Sequence, residues 1–378
     1  MSMEDIKKQD DLEVEVEDLS GGESTELITK PFNPNEIDVD ISTVNLGSLI
    51  EQLENDEIDL QPDFQRATDV WDNIRKSRLI ESILLGLPLP SFYFSEDPFT
   101  LKLSIIDGLQ RICAIKDFVL RKENPLKLKG LQFLRHFEGK TYSQLPRPEI
   151  RRIKSLKITV NVLRKGTPLN VKYIIYERIN TGGIPLNQQE IRYALNQGFA
   201  TVFLKELANM ESFKIATDYS INSKRMQDLD FINRFIAFFI GYTKYSGNLN
   251  LFLFEKMREI NLMSSNQIDY IRTSFDKSMK CCFQIFKEDT FRIKYEVTDR
   301  RRPVSKSVFD TLSVNIALLN DNERNLLLSR ADVFKNKMIG LFNNEEFKTS
   351  ITSRTTQKYN VMLRFYMVKS LIKEIISL

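Results

Sequence analysis

The chain has 378 residues, enough for two domains with a core each, and its 42% hydrophobic content is ordinary for a globular protein. No apolar run approaches the roughly 18 residues of a membrane span, and no apolar signal region precedes the body, so a soluble cytoplasmic protein is expected. Three cysteines without a Cys-x-x-Cys pair, and His136 as the one histidine, exclude structural zinc, His-x-x-x-His centres and His-Asn-His nuclease modules.

The net charge of +3 conceals an uneven distribution. Residues 1–40 hold 13 acidic and 3 basic residues, which leaves 38 acidic against 51 basic in the rest. A basic body with an acidic tail suits polyanion binding in which the tail competes or recruits a basic partner; a solubilising tail on a lysine-rich surface is the plainer reading. Residues 1–38, with Glu13-Val14-Glu15-Val16-Glu17 and Ser20-Gly21-Gly22, read as disordered or as an arm that folds only on a partner.

Order is expected near Ile41, with a short helix over Val44 to Leu53. An extended piece then carries Gln61-Pro62-Asp63-Phe64-Gln65-Arg66, and Trp71 follows, read as a packing anchor before a base-stacking platform. Asp72 is a good N-cap for a helix with Ile80, Ile83, Leu84 and Leu87 at helical spacing, stopped by Gly86. Strands are expected over Ser91 to Ser95 and over the alternating residues that lead to Asp107. A helix runs from Leu109 to Arg121-Lys122, Gly130 to Arg152 reads as an irregular insertion, and Ile158 to Leu163 as a strand. A helix from Pro168 to Arg178 breaks at Asn180-Thr181-Gly182-Gly183, and Asn187 with Glu190 starts the next one. Beyond about 200 only helices are expected, apart from an alternating stretch from Phe291 to Val297. The clearest stripe is Leu229, Ile232, Phe235, Ile236, Phe239 and Ile240, and the closing segment from Tyr359 is similar.

The chemistry concentrates in Ser104-Ile105-Ile106-Asp107-Gly108-Leu109-Gln110-Arg111, where an apolar strand turns through Asp-Gly into a helix. Such a turn aims unpaired N–H groups at whatever lies above it, and Gly108 permits close approach of a ligand to the backbone. Gln110 and Arg111 add side-chain donors, Arg111 as a fork matched to phosphate oxygens. By itself the same pattern is also ordinary α/β anatomy. Asp107 has two readings, a magnesium ligand or a cap for the helix.

Four blocks in order carry a likeness to a known family. They are Pro62-Asp63-Phe64-Gln65-Arg66 with Trp71, Leu79 to Leu84 with Pro88-Leu89-Pro90, Asp107-Gly108-Leu109-Gln110-Arg111, and Arg178-Ile179-Asn180-Thr181-Gly182-Gly183 with Glu190 and Arg192. Over roughly residues 40–200 the chain resembles the DGQQR-motif proteins of prokaryotic anti-phage defence, of the GmrSD and SspE type. The resemblance implies an α+β chain with a ParB/sulfiredoxin-like domain at 39–198, preceded by the tail 1–38 and followed by an all-α domain at 199–378. It implies binding and often hydrolysis of a nucleoside triphosphate with Mg2+, in systems that restrict modified or foreign DNA. Asp107, Gln110 and Arg111 then become catalytic candidates, with Asp107 toward the metal. Gln65, Arg66, Gly108, Arg178, Asn180 and Thr181 become nucleotide-binding candidates that converge from three segments. One departure stands out, because Leu109 occupies the position of the family's first glutamine, which bears on turnover more than on binding.

The arginines also have plain readings as surface ion pairs, and Thr181-Gly182-Gly183 as a helix C-cap. In the second half Arg300-Arg301-Arg302, just before a helix expected over Ser305 to Leu319, is either a contact to a DNA or RNA backbone or a solvated loop. The leading expectation is a nucleotide-dependent defence protein that works with DNA and with a partner nuclease subunit, oligomers being compatible with it. The alternatives are a non-catalytic nucleotide switch or adaptor, which Leu109 favours, and a ParB-like metal-dependent nuclease.

Overall fold

A computed structural model describes residues 13–18, 38–60, 71–96, 102–179 and 187–378. Packing divides the chain into two units, residues 31–187 and residues 188–378 together with 1–30. The boundary thus falls ahead of the expected 198/199, and the acidic stretch groups with the helical unit.

The first unit is built on a five-stranded mixed sheet of order β1-β5-β3-β4-β2. The strands are β1 (Val39–Asn45), β2 (Ile58–Asp59), β3 (Phe92–Glu96), β4 (Leu103–Asp107) and β5 (Lys157–Leu163). β5 pairs antiparallel with β1 and parallel with β3, and β4 pairs antiparallel with β3 across an irregularity at Tyr93/Phe94. Order therefore begins as a strand that the sequence reading merged into the following helix.

Helices α1 (Leu46–Glu54), α2 (Asn73–Leu84) and α3 (Leu109–Val119) bury one apolar face each, supplying Leu49, Ile80, Ile83, Ile112, Ile115 and Phe118 to a core shared with Phe92 and Phe94. Asp72 caps α2 as expected, accepting from the Arg75 N–H at 2.7 Å. The stretch expected to be irregular contains α4 (Arg147–Ser155) and is pinned at its start by a buried carboxylate. Glu81 accepts N–H bonds from Gln132, Phe133 and Leu134 at 3.0, 2.7 and 2.7 Å. Burial alone would raise the Glu81 carboxyl, and the three donors overcome it and hold it below the usual range. α5 (Leu169–Ile179) closes the described part of this unit before residue 187.

The second unit is helical among its described residues. Its framework includes α6 (Gln188–Leu195), α7 (Gln227–Gly241), α8 (Ser265–Phe286), α9 (Lys306–Ala317) and α10 (Lys358–Ser377). Aromatic rings fill its centre: Phe231 and Phe291 meet Phe309 edge-on at 5.0 and 4.8 Å, and Phe235 meets Phe275 at 4.7 Å. The expected strand at Phe291–Val297 reduces to an isolated bridge between Arg292 and Val304, because Asp299 folds the stretch into a turn by accepting from the Tyr295 and Glu296 N–H groups. Cys281 and Cys282 lie buried in α8, whereas Cys113 is half-buried in α3. Among the described residues no helix is long and apolar enough to cross a membrane.

Residues 13–18, expected to lack structure of their own, run against this helical unit. Val14 is buried beside Val304, and Glu17 pairs with Arg234 at 2.8 Å. A carboxylate and a strand edge of the same chain supply here what the sequence reading assigned to a partner.

Candidate functional site

β4 delivers the chain into Asp107, and the turn is made by Gly108 at φ +100°, a conformation that favours glycine. α3 starts at the next residue, its first intrahelical bond running from the Ile112 N–H to the Gly108 carbonyl at 2.9 Å. The N–H groups of Leu109, Gln110 and Arg111 thus form the open first turn that any α-helix leaves at its N-terminus.

Glycine is required here for a reason beyond the turn. A Cβ at position 108 would sit 2.6 Å from Cδ1 of Phe92. The close neighbour of the glycine is therefore a core ring of β3, which corrects the expectation that the missing side chain makes room for a ligand on that face.

Arg111 is a clamp. Its guanidinium donates to the carbonyls of Pro90 and Ser91 and to Asp107 Oδ2, the last at 2.8 Å, and stacks over Phe92 with 4.5 Å to the ring centroid. Burial pulls its pKa below the usual arginine value, and Asp107 acts in the opposite direction. The Asp107 side chain is 26% exposed and that of Arg111 11%. Arg111 thereby ties the entry of β3 to the head of α3, and its donors are committed to protein acceptors. Its geometry is that of a residue which positions the turn.

Gln110 behaves differently. Its side-chain carbonyl oxygen is shielded from solvent and has no hydrogen-bond partner among the described residues. A buried amide oxygen left unpaired costs on the order of 1–3 kcal/mol and is a polar contact open to a donor; Tyr142 Oη of the same unit is in the same state. Asp107 spends Oδ2 on Arg111, and its carboxylate supplies a hard oxygen at the turn. No group of three or more histidine, cysteine or carboxylate side chains able to hold a metal exists among the described residues. A magnesium ion here would take Asp107 as its one carboxylate and draw its other ligands from phosphate and water, a coordination common for this cation.

The structure brings Asp107, Gly108, Gln110 and Arg111 together on one turn. Trp71 packs half-buried against the core of the same unit, as an anchor does. Arg178 lies exposed near the end of α5 and is engaged in an interaction of its own. Gln65, Arg66, Asn180 and Thr181 lie outside the described residues. In the helical unit Arg301 pairs with Asp218, Arg302 stacks over Tyr295 at 4.8 Å, and Arg300 is exposed, so the tribasic cluster is a built loop with its charges outward.

One constellation escaped sequence reasoning. Arg234 of α7 donates to Asp310 of α9 at 2.9 and 2.6 Å and to Glu17 at 2.9 and 2.8 Å, with Arg364 of α10 at 3.5 Å from the same aspartate. Asp230, one turn earlier in α7, holds Arg192 and Lys306 at 2.7 Å each, and these cations keep its carboxyl well below the usual range against the opposing effect of burial. The available signal was Asn233-Arg234 set inside the apolar stripe of α7, and Asp310 inside the apolar run of α9.

The first unit is thus a small mixed sheet in which β4, lying between β3 and β2, turns through Asp-Gly into a clamped helix head. Residues 46–196 match the family described as "GmrSD restriction endonuclease, N-terminal domain", and this segment is similar to that domain. No curated protein and no solved structure gives a significant match.

Proposed function

We propose that the protein is a component of a restriction system acting on DNA, in which the first unit binds a nucleoside triphosphate over the head of α3. The observation that carries this reading is the unpaired, shielded Gln110 oxygen beside the open first turn of α3, within the segment similar to the GmrSD domain. A nucleotide base or ribose offers the donor that Gln110 lacks, and the helix N-terminus favours phosphate. Arg111 holds the turn in shape, while phosphate charge is met by the N–H groups and by Mg2+ at Asp107. Hydrolysis is slow or absent, since Leu109 stands where an amide would orient water, and the protein then acts as a nucleotide-controlled switch. In the second unit Arg300, Arg301 and Arg302 contact a nucleic-acid backbone, and strand cutting belongs to a partner subunit.

Thermal melting against a panel of nucleoside triphosphates, with and without magnesium, tests the first unit. A true ligand at about 100 times its dissociation constant stabilises the fold by roughly 2.7 kcal/mol. A panel in which no nucleotide moves the melting temperature would overturn the nucleotide reading.

A further inference from the structure

Residues 121–157, running from the end of α3 into β5, hold 11 basic and 3 acidic residues, which is more than half of the basic surplus outside residues 1–40. Two of the acidic side chains are turned onto this segment itself. Glu138 accepts from the Gly130 and Leu131 N–H groups at 2.7 and 3.1 Å, and Glu149 stands 3.7 Å from Arg152. The charge that remains is positive and faces solvent, at Lys122, Lys127, Lys129 and Arg151 among others.

Part of that charge lines a cleft of about 800 Å³ between the start of α2, the end of α3 and the chain that follows it. Its wall is built by alternation. Leu126 and Leu128 are buried in the core, while Lys127 and Lys129 are exposed. The run is tied down by bonds from the Leu128 N–H to the Lys140 carbonyl at 3.0 Å and from the Lys129 N–H to Ser77 Oγ at 2.9 Å. Two lysines so placed on an extended run stand about 6–7 Å apart, comparable to the step between phosphates on one nucleic-acid strand.

The cations of the cleft are not equally available. Lys76 is buried and spent on Asp117 at 2.9 Å, whereas Arg121 reaches the other Asp117 oxygen only at 3.5 Å with 53% of its side chain exposed. Lys127 and Lys129 have no side-chain partner among the described residues, so with Arg121 they are the charges that the cleft can offer. The described lining carries no aromatic ring on which a base could stack, which suits backbone phosphate rather than splayed bases.

We propose that this cleft is a second phosphate-backbone contact, borne by the first unit, in which Arg121, Lys127 and Lys129 meet phosphates of one strand of a DNA duplex without reading its sequence. The proposal rests on the nucleic-acid reading given above and extends it to the unit that carries the Asp-Gly turn.

Full-length chains test it by fluorescence anisotropy with a labelled 20-base-pair duplex over a range of salt. They are the natural chain, Lys127→Gln/Lys129→Gln, and Lys369→Gln/Lys373→Gln, which loses the same charge from exposed positions of α10. The cleft variant is expected to bind roughly tenfold more weakly than the other two at low salt, with a salt slope shallower by about 2. Lys127→Arg/Lys129→Arg, which keeps both charges, should bind as the natural chain does. Equal affinity of the two glutamine variants overturns the cleft and leaves the contact at Arg300, Arg301 and Arg302 standing. A cleft variant that binds the duplex unchanged but loses the nucleoside triphosphate melting shift also overturns it, the cleft then being a nucleotide site. Absence of duplex binding by every chain overturns the nucleic-acid reading and the cleft with it.

Discussion

Two arginine–carboxylate constellations organise this protein, and they do different work. At the head of α3, Asp107 and Arg111 are four residues apart and partly exposed, and they hold one turn in shape. In the helical unit, Arg234 meets Asp310 from 76 residues away and Glu17 from 217, and the Arg234 and Asp310 side chains are 2% and 0% exposed. The first is a local device at the candidate turn. The second is a global one, since a buried charge without its partner cannot be rehydrated.

The contrast is most sharply tested by deleting each arginine. Arg234→Ala leaves Asp310 with only the more distant Arg364, and should destabilise the helical unit by about 3–5 kcal/mol in urea unfolding. A loss under 1 kcal/mol would mean that the cluster is hydrated and interchangeable with surface pairs. Arg111→Ala removes a half-screened pair and two carbonyl contacts, so a smaller loss of about 1–2 kcal/mol is expected. Its nucleotide-dependent melting shift should shrink because the turn loosens, and Arg111→Lys should recover only part of it, the fork being what spans Pro90, Ser91 and Asp107. Full recovery by lysine would reduce the clamp to a simple charge.

Glu15 gives the smallest and most diagnostic effect. Its folded carboxyl titrates at about 6, above the unfolded value of 4.5, so the folded state binds the proton more tightly. Its ionised form therefore costs stability above pH 6, and that cost vanishes as the pH falls below 4.5. Glu15→Gln should accordingly raise stability at pH 8 by at most about 2 kcal/mol and leave it unchanged at pH 4. No gain at either pH would place the glutamate in solvent.

These differences also explain what the sequence could tell. Asp72, Gly108 and the stripe from Leu229 to Ile240 act through neighbours three or four residues away, and a cap, a turn or a helix face is written locally. The partners of Glu17 and Glu81 lie 217 and 51 or more residues off, at Arg234 and the Gln132–Leu134 amides, and the Phe92 ring against Gly108 belongs to the preceding strand but one of the chain, β3. No local pattern marks such pairings, so the acidic segment read as unstructured and the insertion as irregular. The Asp-Gly turn at the head of α3 was legible because its backbone geometry is local, whereas the commitment of Arg111 to Pro90 and Ser91 was hidden by the two strands between them.

The three thiols extend the contrast to covalent chemistry. Desolvation pushes Cys281 up to about 12 and Cys282 well above the usual thiol range, which silences both as nucleophiles at neutral pH. Cys113 sits in α3 only two residues beyond Arg111 and is half-buried. The chain thus provides its own selective attachment point, where one maleimide dye would report from the helix that bears the candidate site while the other unit stays dark.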